Sequence, residues 1–149
     1  MTIIKGDLLQ LADDGTFDAI VHGCNCFNNM GAGIALQIKN KYPAAWEVDK
    51  NTIKGHNDKL GTYTSAKVGD LTIVNAYTQY RPGLNDLKEN YSAIHNVMKK
   101  IAVDFQGKRI GLPFIGAGLA GGDWNIIKDI IRANLEGMID YTIVEYSKS

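Results

Sequence analysis

Two glycine-rich segments, each set directly after an apolar run and directly before a helix-like pattern, constrain this chain more than any other feature. Asn25-Cys-Phe-Asn-Asn-Met-Gly-Ala-Gly-Ile34 follows the run Ala19 to Gly23, and Ile115-Gly-Ala-Gly-Leu-Ala-Gly-Gly-Asp-Trp124 follows the run Arg109 to Ile115. Glycine accepts positive φ and lets backbone N–H groups approach a ligand with no Cβ in the way. The helix that follows adds unpaired N–H groups and the positive end of its dipole. Each segment has the layout of an anion cradle, and two of them on one small domain fit a ligand with two phosphates.

The rest of the chain alternates strand and helix patterns. Thr2 to Leu8 reads as a strand, Ala19 to Gly23 as a short buried strand, and Gly31 to Lys41 as a helix with Ile34, Leu36 and Ile38 as its apolar stripe. Pro43 opens a second helix to about Lys54, where proline suits the first turn. Thr62 to Lys67 and Leu71 to Thr78 flank Val68-Gly-Asp70 as a hairpin. Asp86 with Glu89 resembles a capping box before Leu87, Tyr91, Ile94, Met98, Ile101 and Phe105 at helical spacing. Asp123 is a good N-cap for a last helix to about Glu136, and Tyr141 to Tyr146 closes as a strand. Strands interleaved with helices imply a largely parallel sheet between helical layers, in one domain over residues 1–149. The stretch Gln79 to Asn85, with Arg81-Pro-Gly83, is the expected mobile loop.

Charge narrows the ligand. Lys plus Arg and Asp plus Glu number 16 each, so the formal net charge is zero, which argues against non-specific nucleic-acid binding through a basic surface. An anionic ligand must then be held by local geometry. Met1-Thr-Ile-Ile-Lys-Gly-Asp7 has no basic and then apolar leader pattern, and no apolar run approaches a membrane span, so a cytoplasmic location without membrane contact is expected. The two cysteines, Cys24 and Cys26, are too close for an unstrained disulfide. With His22 they offer at most three ligands, so no metal is expected and both thiols are read as reduced.

Gly116-Ala-Gly-Leu-Ala-Gly121 matches the dinucleotide fingerprint G-x-G-x-x-G, and Glu145 lies near the expected distance downstream. A Rossmann half requires further parallel strands after that acid, and none is patterned there, so phosphate binding by paired loops is preferred.

Taken together, Lys5-Gly-Asp-Leu-Leu9, His22-Gly-Cys-Asn-Cys26, Met30-Gly-Ala-Gly-Ile-Ala35 and Leu112-Pro-Phe-Ile-Gly-Ala-Gly-Leu-Ala-Gly-Gly-Asp-Trp124 occur in the order and spacing of a macro domain. The resemblance covers essentially the whole chain and is nearest to the compact branch with yeast-type ADP-ribose-1″-phosphate phosphatases and terminal ADP-ribose glycohydrolases. It implies an α/β fold, a three-layer α/β/α sandwich with a mixed central sheet, and ADP-ribose in a cleft at the strand ends. By position, Asp7 would accept from the adenine amino group with Leu8 beside it, and Asn25 would bind the distal ribose. Met30, Gly31, Ala32, Gly33 and Ile34 would form the first phosphate loop, and Gly116, Ala117, Gly118, Leu119 and Ala120 the second.

For chemistry the resemblance points to His22 as proton donor or orienter of water, with Asn25 orienting the ribose. The bland reading of His22 is a structural histidine ending a buried strand. Asp123 would polarise a water or simply cap its helix, while His56 and His95 fall on presumed helices as solvated residues. Where the glycohydrolase relatives carry a lysine and a loop acid, this chain has Gln79 and Ala120, which supports neither a Schiff base nor proton transfer there. Ala120 in place of an aromatic ring leaves room for a terminal 1″-phosphate. The expected reaction is therefore metal-free and cofactor-free hydrolysis of ADP-ribose 1″-phosphate to ADP-ribose and phosphate. Hydrolysis of ADP-ribosyl or O-acyl-ADP-ribose esters, with an ADP-ribosylated protein as partner, and non-catalytic reading of ADP-ribose are the alternatives.

Overall fold

The computed structural model describes residues 2–147; Met1, Lys148 and Ser149, which the one-domain reading included, lie outside the described residues. Six strands form one mixed sheet in the order β1-β6-β5-β2-β4-β3, with β1 Thr2–Gly6, β2 Ala19–Asn25, β3 Tyr63–Val68, β4 Leu71–Gln79, β5 Arg109–Leu112 and β6 Asp140–Tyr146. All neighbours are parallel except β3, which pairs antiparallel with β4 across the Gly69-Asp70 turn, where Gly69 takes φ +62°. Strands β2 and β4 are buried on both faces over most of their length, and the polar His22 and Asn75 interrupt their apolar runs at fully buried positions.

The helices divide between the two faces. On one, α4 (Leu87–Asp104) and α5 (Trp124–Leu135) pack Ile94, Met98, Ile101, Ile127, Ile131 and Leu135 onto Val21, Val74, Ile110 and Ile143. On the other, α1 (Leu8–Asp13), α2 (Gly33–Lys41) and α3 (Pro43–Lys50) cover Ile20, Ile73 and Val144 with Leu8, Leu9, Ile38 and Ala45. This is the expected three-layer α/β/α sandwich. No helix among the described residues is long and apolar enough to cross a membrane.

Local chemistry explains where elements begin. Asp86 and Asp123 cap α4 and α5 by accepting from Lys88 N and Asn125 N, both at 2.9 Å, and Pro43 sits at the first turn of α3. Four expectations need correction. The first strand ends at Gly6 rather than Leu8, because Asp7 caps a short helix that the apolar run Leu8-Leu9 disguised as more strand. The strand at Arg109 ends at Leu112, since Pro113 lacks the N–H to continue the ladder. In α2, which starts at Gly33, Leu36 lies two residues from both Ile34 and Ile38 and is therefore turned off their stripe; it is 37% exposed. Helix α3 stops at Lys50, and His56 stands outside any α-helix, its Nδ1 accepting from Asp58 N at 3.1 Å to start the 3₁₀ turn Asn57–Lys59. The loop after β4 is cross-linked within itself: Asn85 Nδ2 donates to Arg81 O at 2.8 Å and Arg81 N donates back to Asn85 Oδ1 at 3.0 Å.

Candidate functional site

The first glycine segment leaves β2 through an Asx turn, with Phe27 N donating to Asn25 Oδ1 at 2.9 Å and Asn25 Nδ2 to Asn29 O at 3.0 Å. Asn29 Oδ1 then accepts from Gly31 N at 2.9 Å. Ala32 is extended and offers no side-chain cap to α2, so the first-turn N–H groups of that helix, orphaned by helix geometry, remain available to a ligand.

The second segment is a compact turn. Ala117 N donates to Phe114 O, Gly121 N to Gly118 O and Gly122 N to Gly116 O, which leaves the amides of Gly118, Leu119 and Ala120 with no protein acceptor among the described residues. Gly116 requires glycine, since it takes φ +74° and a Cβ there would press on Ile94 and Ile127. Gly118 differs from the expectation of left-handed glycines throughout the cradle: its φ lies outside that region, and a Cβ on it would meet nothing within 4 Å.

Both segments face one cleft of about 570 Å³, a size suited to a nucleotide-like ligand. Asn25, Gly31, Ala32, Gly33, Ile34, Gly116, Gly118, Leu119 and Ala120 line it together with Thr78 and Gln79 at the end of β4 and Pro82 and Gly83 beyond. A hollow of about 420 Å³ shares Gly33, Ile34, Pro113 and Phe114 with the cleft and continues it to Asp7 and Leu8. Asp7 Oδ1 accepts from Leu9 N at 3.0 Å and Gln10 N at 3.3 Å as the α1 cap, leaving Oδ2 for a ligand. Phe114 is stacked on Trp124 with centroids 4.3 Å apart, which presents a stiff apolar wall to both spaces.

Four predicted residues are not brought to this surface. Met30 is 1% exposed and packs in the core beneath α2, and Ala117 packs toward the α4 and α5 layer; in both, the apolar side chain turns inward while neighbouring glycines form the lining. Asp123 caps α5, its carboxylate accepting from Asn125 N, and its own N–H donates to Tyr91 OH on α4 at 3.0 Å. His22 is completely buried behind the cleft, with Nε2 donating to Asn75 Oδ1 at 2.7 Å and the Cys24 thiol at 3.8 Å from Nδ1. Burial pulls its pKa down to about 4, against the smaller opposing effect of the Asn75 bond, so the ring is neutral at physiological pH.

Among the described residues, the cleft lining has no Asp, Glu, Lys, Arg or His side chain. Its one ionisable group is Cys24, a buried free thiol pushed well above its ordinary value by burial and then by the Asp49 charge. Thr78, Pro82 and Phe114 were missed as lining residues. Phe114 carried a signal, since it stands between strand and glycine turn, whereas the loop after Gln79 reaches the cleft only through tertiary packing.

The sequence model of the macro domain family matches residues 21–131. The chain belongs to the macro domain family. This macro domain is 39% identical over 137 residues to a 17.5 kDa protein of the tk-vs intergenic region of Enterobacteria phage T4, covering 86% of the chain and 85% of that protein. It is 26% identical to a DNA ADP-ribosyl glycohydrolase of Mycobacterium bovis over 100% of the chain but 42% of the relative. A 45-residue segment is 49% identical to an ADP-ribose 1″-phosphate phosphatase of Aspergillus oryzae, 30% of the chain and 21% of the enzyme. The chain thus spans less than half of either named hydrolase. In structure it superposes on a protein of unknown function from Bacteroides thetaiotaomicron with TM-score 0.82 at 25% identity, covering 97% and 96% of the two chains. Thermosipho africanus DarTG, determined in complex with ADP-ribose, shares the fold at TM-score 0.74 and 16% identity, over 97% of this chain and 42% of that one.

Proposed function

We propose that this macro domain binds ADP-ribose with the diphosphate between the first turn of α2 and the amides of Gly118 to Ala120. The adenine end would lie in the hollow at Asp7 and Phe114, and the distal ribose at Asn25 and Gln79. The observation that carries this reading is the pair of unpartnered amide sets facing one neutral cleft, which suits a dianion held by oriented N–H groups rather than by countercharges. The related hydrolases and the ADP-ribose complex of the Thermosipho protein support the same ligand class.

The reaction we propose is hydrolysis of ADP-ribose 1″-phosphate to ADP-ribose and phosphate. Its support is the segment similar to the Aspergillus phosphatase and the small Ala120 at the distal end of the cleft. In this reading proton transfer is placed away from His22 and Asp123, neither of which is among the lining residues of the cleft. Asn25, Gln79, Thr78 and the loop amides contribute by orientation and by hydrogen bonds to developing charge. The uncharged lining favours one second reading, a non-catalytic reader of ADP-ribose. A cytoplasmic location belongs to the proposal and fits the two free buried thiols. Calorimetry with ADP-ribose, AMP and ribose 5-phosphate tests the ligand. Phosphate release from ADP-ribose 1″-phosphate, run beside O-acyl-ADP-ribose and an ADP-ribosylated protein, tests the reaction; binding with no turnover on any of them selects the reader.

A further inference from the structure

A buried lysine outside the cleft holds the first loop from behind. Lys59, in the 3₁₀ turn after α3, is 9% exposed, and its Nζ donates to Cys26 O at 2.8 Å and to Asn28 Oδ1 at 2.7 Å. Asn28 is the one non-glycine residue with positive φ among the described residues, at +53°. Its amide is the crossing point of the loop: Nδ2 donates to Thr52 O at 2.9 Å and Lys50 O at 3.3 Å, and Oδ1 lies 3.1 Å from Thr52 Oγ1, whose proton also has Asp49 O at 2.6 Å. The next residue, Asn29, fixes Gly31 N and the Asn25 side chain. A left-handed asparagine costs backbone energy and persists only when its surroundings over-determine it. One of the groups that hold it here is the Lys59 ammonium, a cation that does not line the cleft itself.

We propose that Lys59, through Asn28, is a positioning residue that sets the register of the Asn29–Gly33 amides for an anionic ligand. It deepens the proposed ADP-ribose reading and rests on it only for the identity of that ligand. The ammonium lies 5.2 Å from the Tyr77 ring of β4, with Asp49 on α3, Cys24 on β2 and Cys26 in the loop as its other ionisable neighbours. Asp49 Oδ1 is occupied by the Tyr77 hydroxyl at 2.7 Å, and Oδ2 has no partner, so the acid does not take over the lysine's role on the loop.

Removal of the charge leaves part of this network in place. Cys26 O keeps Gly55 N at 2.7 Å, whereas the single Thr52 Oγ1 proton lies closer to Asp49 O, at 2.6 Å, than to Asn28 Oδ1, at 3.1 Å, so Lys59→Met fills the volume but costs Asn28 Oδ1 its strongest donor. The expected result is a folded Lys59→Met with a melting temperature a few degrees below wild type, since buried Asp49 loses its neighbouring cation, ADP-ribose affinity lower by about ten- to a hundredfold, and faster amide exchange at Gly31, whose N–H the Asn29 side chain holds. Asn28→Gly removes the same link from the other side and relieves the φ, and it should lose a similar factor. The double variant should bind no more weakly than the worse single one, since both remove one interaction.

Alkaline pH provides a readout that a purely structural lysine would not give. Burial holds the Lys59 pKa below the ordinary lysine value of 10.5, against the opposing pull of Asp49, Cys26 and Cys24. As pH rises toward 10.5, the native state sheds this proton before the unfolded chain does, so wild-type stability gains from this group while ADP-ribose affinity falls. Both trends should be absent in Lys59→Met. Undiminished affinity with unchanged exchange in a folded Lys59→Met or Asn28→Gly, or additive losses in the double variant, overturns the proposal. Should wild type bind no ADP-ribose, the ligand reading fails by itself, and the Gly31 exchange rate still decides whether Lys59 positions the loop.

Discussion

His22 and Asn75 form a closed pair: Nε2 of the ring donates to the amide oxygen at 2.7 Å, both residues are 0% exposed, and Asn75 Nδ2 passes the network on to Ala45 O at 2.9 Å. The histidine that chain position made a catalytic candidate thus fastens β2 to β4 and to α3. His22→Ala should destabilise the fold by about 2–4 kcal/mol, from the cavity and the unpaired Asn75 oxygen, while the folded fraction binds ADP-ribose nearly as wild type. Denaturant unfolding with calorimetry checks both halves. The pH dependence has a definite sign. Between about 4 and 6.5 the unfolded chain holds a proton at His22 that the native state refuses, so stability rises with pH by at most about 1.4 kcal/mol per unit there and owes nothing further to this group above that range. A His22→Ala variant that keeps wild-type stability and loses only turnover would return the ring to catalysis.

Gly118 separates binding from folding. A Cβ on it meets open space and its φ suits any residue, so Gly118→Val should melt within a few degrees of wild type while its side chain fills the phosphate path and removes ADP-ribose binding. Gly122→Ala is the contrast. Its Cβ would lie 2.6 Å from Gly116 O, so the turn itself must shift and stability should drop by about 1–3 kcal/mol. Paired thermal melts and titrations read the difference; normal affinity in Gly118→Val would make the second loop a turn and nothing more.

Asp7 caps α1 with one oxygen and in the proposed complex offers the other to adenine, and two substitutions tell these roles apart. Asp7→Asn keeps an acceptor for Leu9 N and should hold stability, yet without the charge its ADP-ribose affinity should fall. Asp7→Ala should add a capping loss of about 0.5–2 kcal/mol to a weaker affinity. Equal affinity of wild type for ADP-ribose and GDP-ribose would remove Asp7 from adenine recognition.

Periodicity and capping residues announced the core helices and the hairpin, because Asp86, Asp123, Pro43 and the Gly69 turn act over a few residues of chain. The cradles were equally visible, since strand, glycine turn and helix are contiguous. What escaped was decided by packing across the sheet. Nothing local distinguishes a His22 that faces a ligand from one that faces Asn75, 53 residues away, or a Met30 that lines a loop from one that drops beneath α2. Helix α1 escaped for a different reason: at 6 residues its apolar start is shorter than the pattern that separates helix from strand.

The uncharged cleft makes its own kinetic prediction. A general acid or base imprints its pKa on the rate, but no Asp, Glu, Lys, Arg or His among the described residues lines this cleft, and the Cys24 thiol stays protonated well past neutrality. For hydrolysis of ADP-ribose 1″-phosphate, kcat/KM should therefore be flat between about pH 7 and 9, above the second ionisation of the substrate phosphate near 6. Asn25→Ala and Gln79→Ala should lower kcat by about ten- to a thousandfold through lost orientation and lost donors, with the profile still flat. Asp123→Asn keeps the cap on α5 and should change neither rate nor stability. A bell or step in that window that vanishes in Asp123→Asn or His22→Ala would show that a protein group moves the proton after all, and that the loop opens to admit it. Absence of turnover at every pH, with tight binding intact, would leave a reader whose two amide cradles hold the ligand and do no chemistry on it.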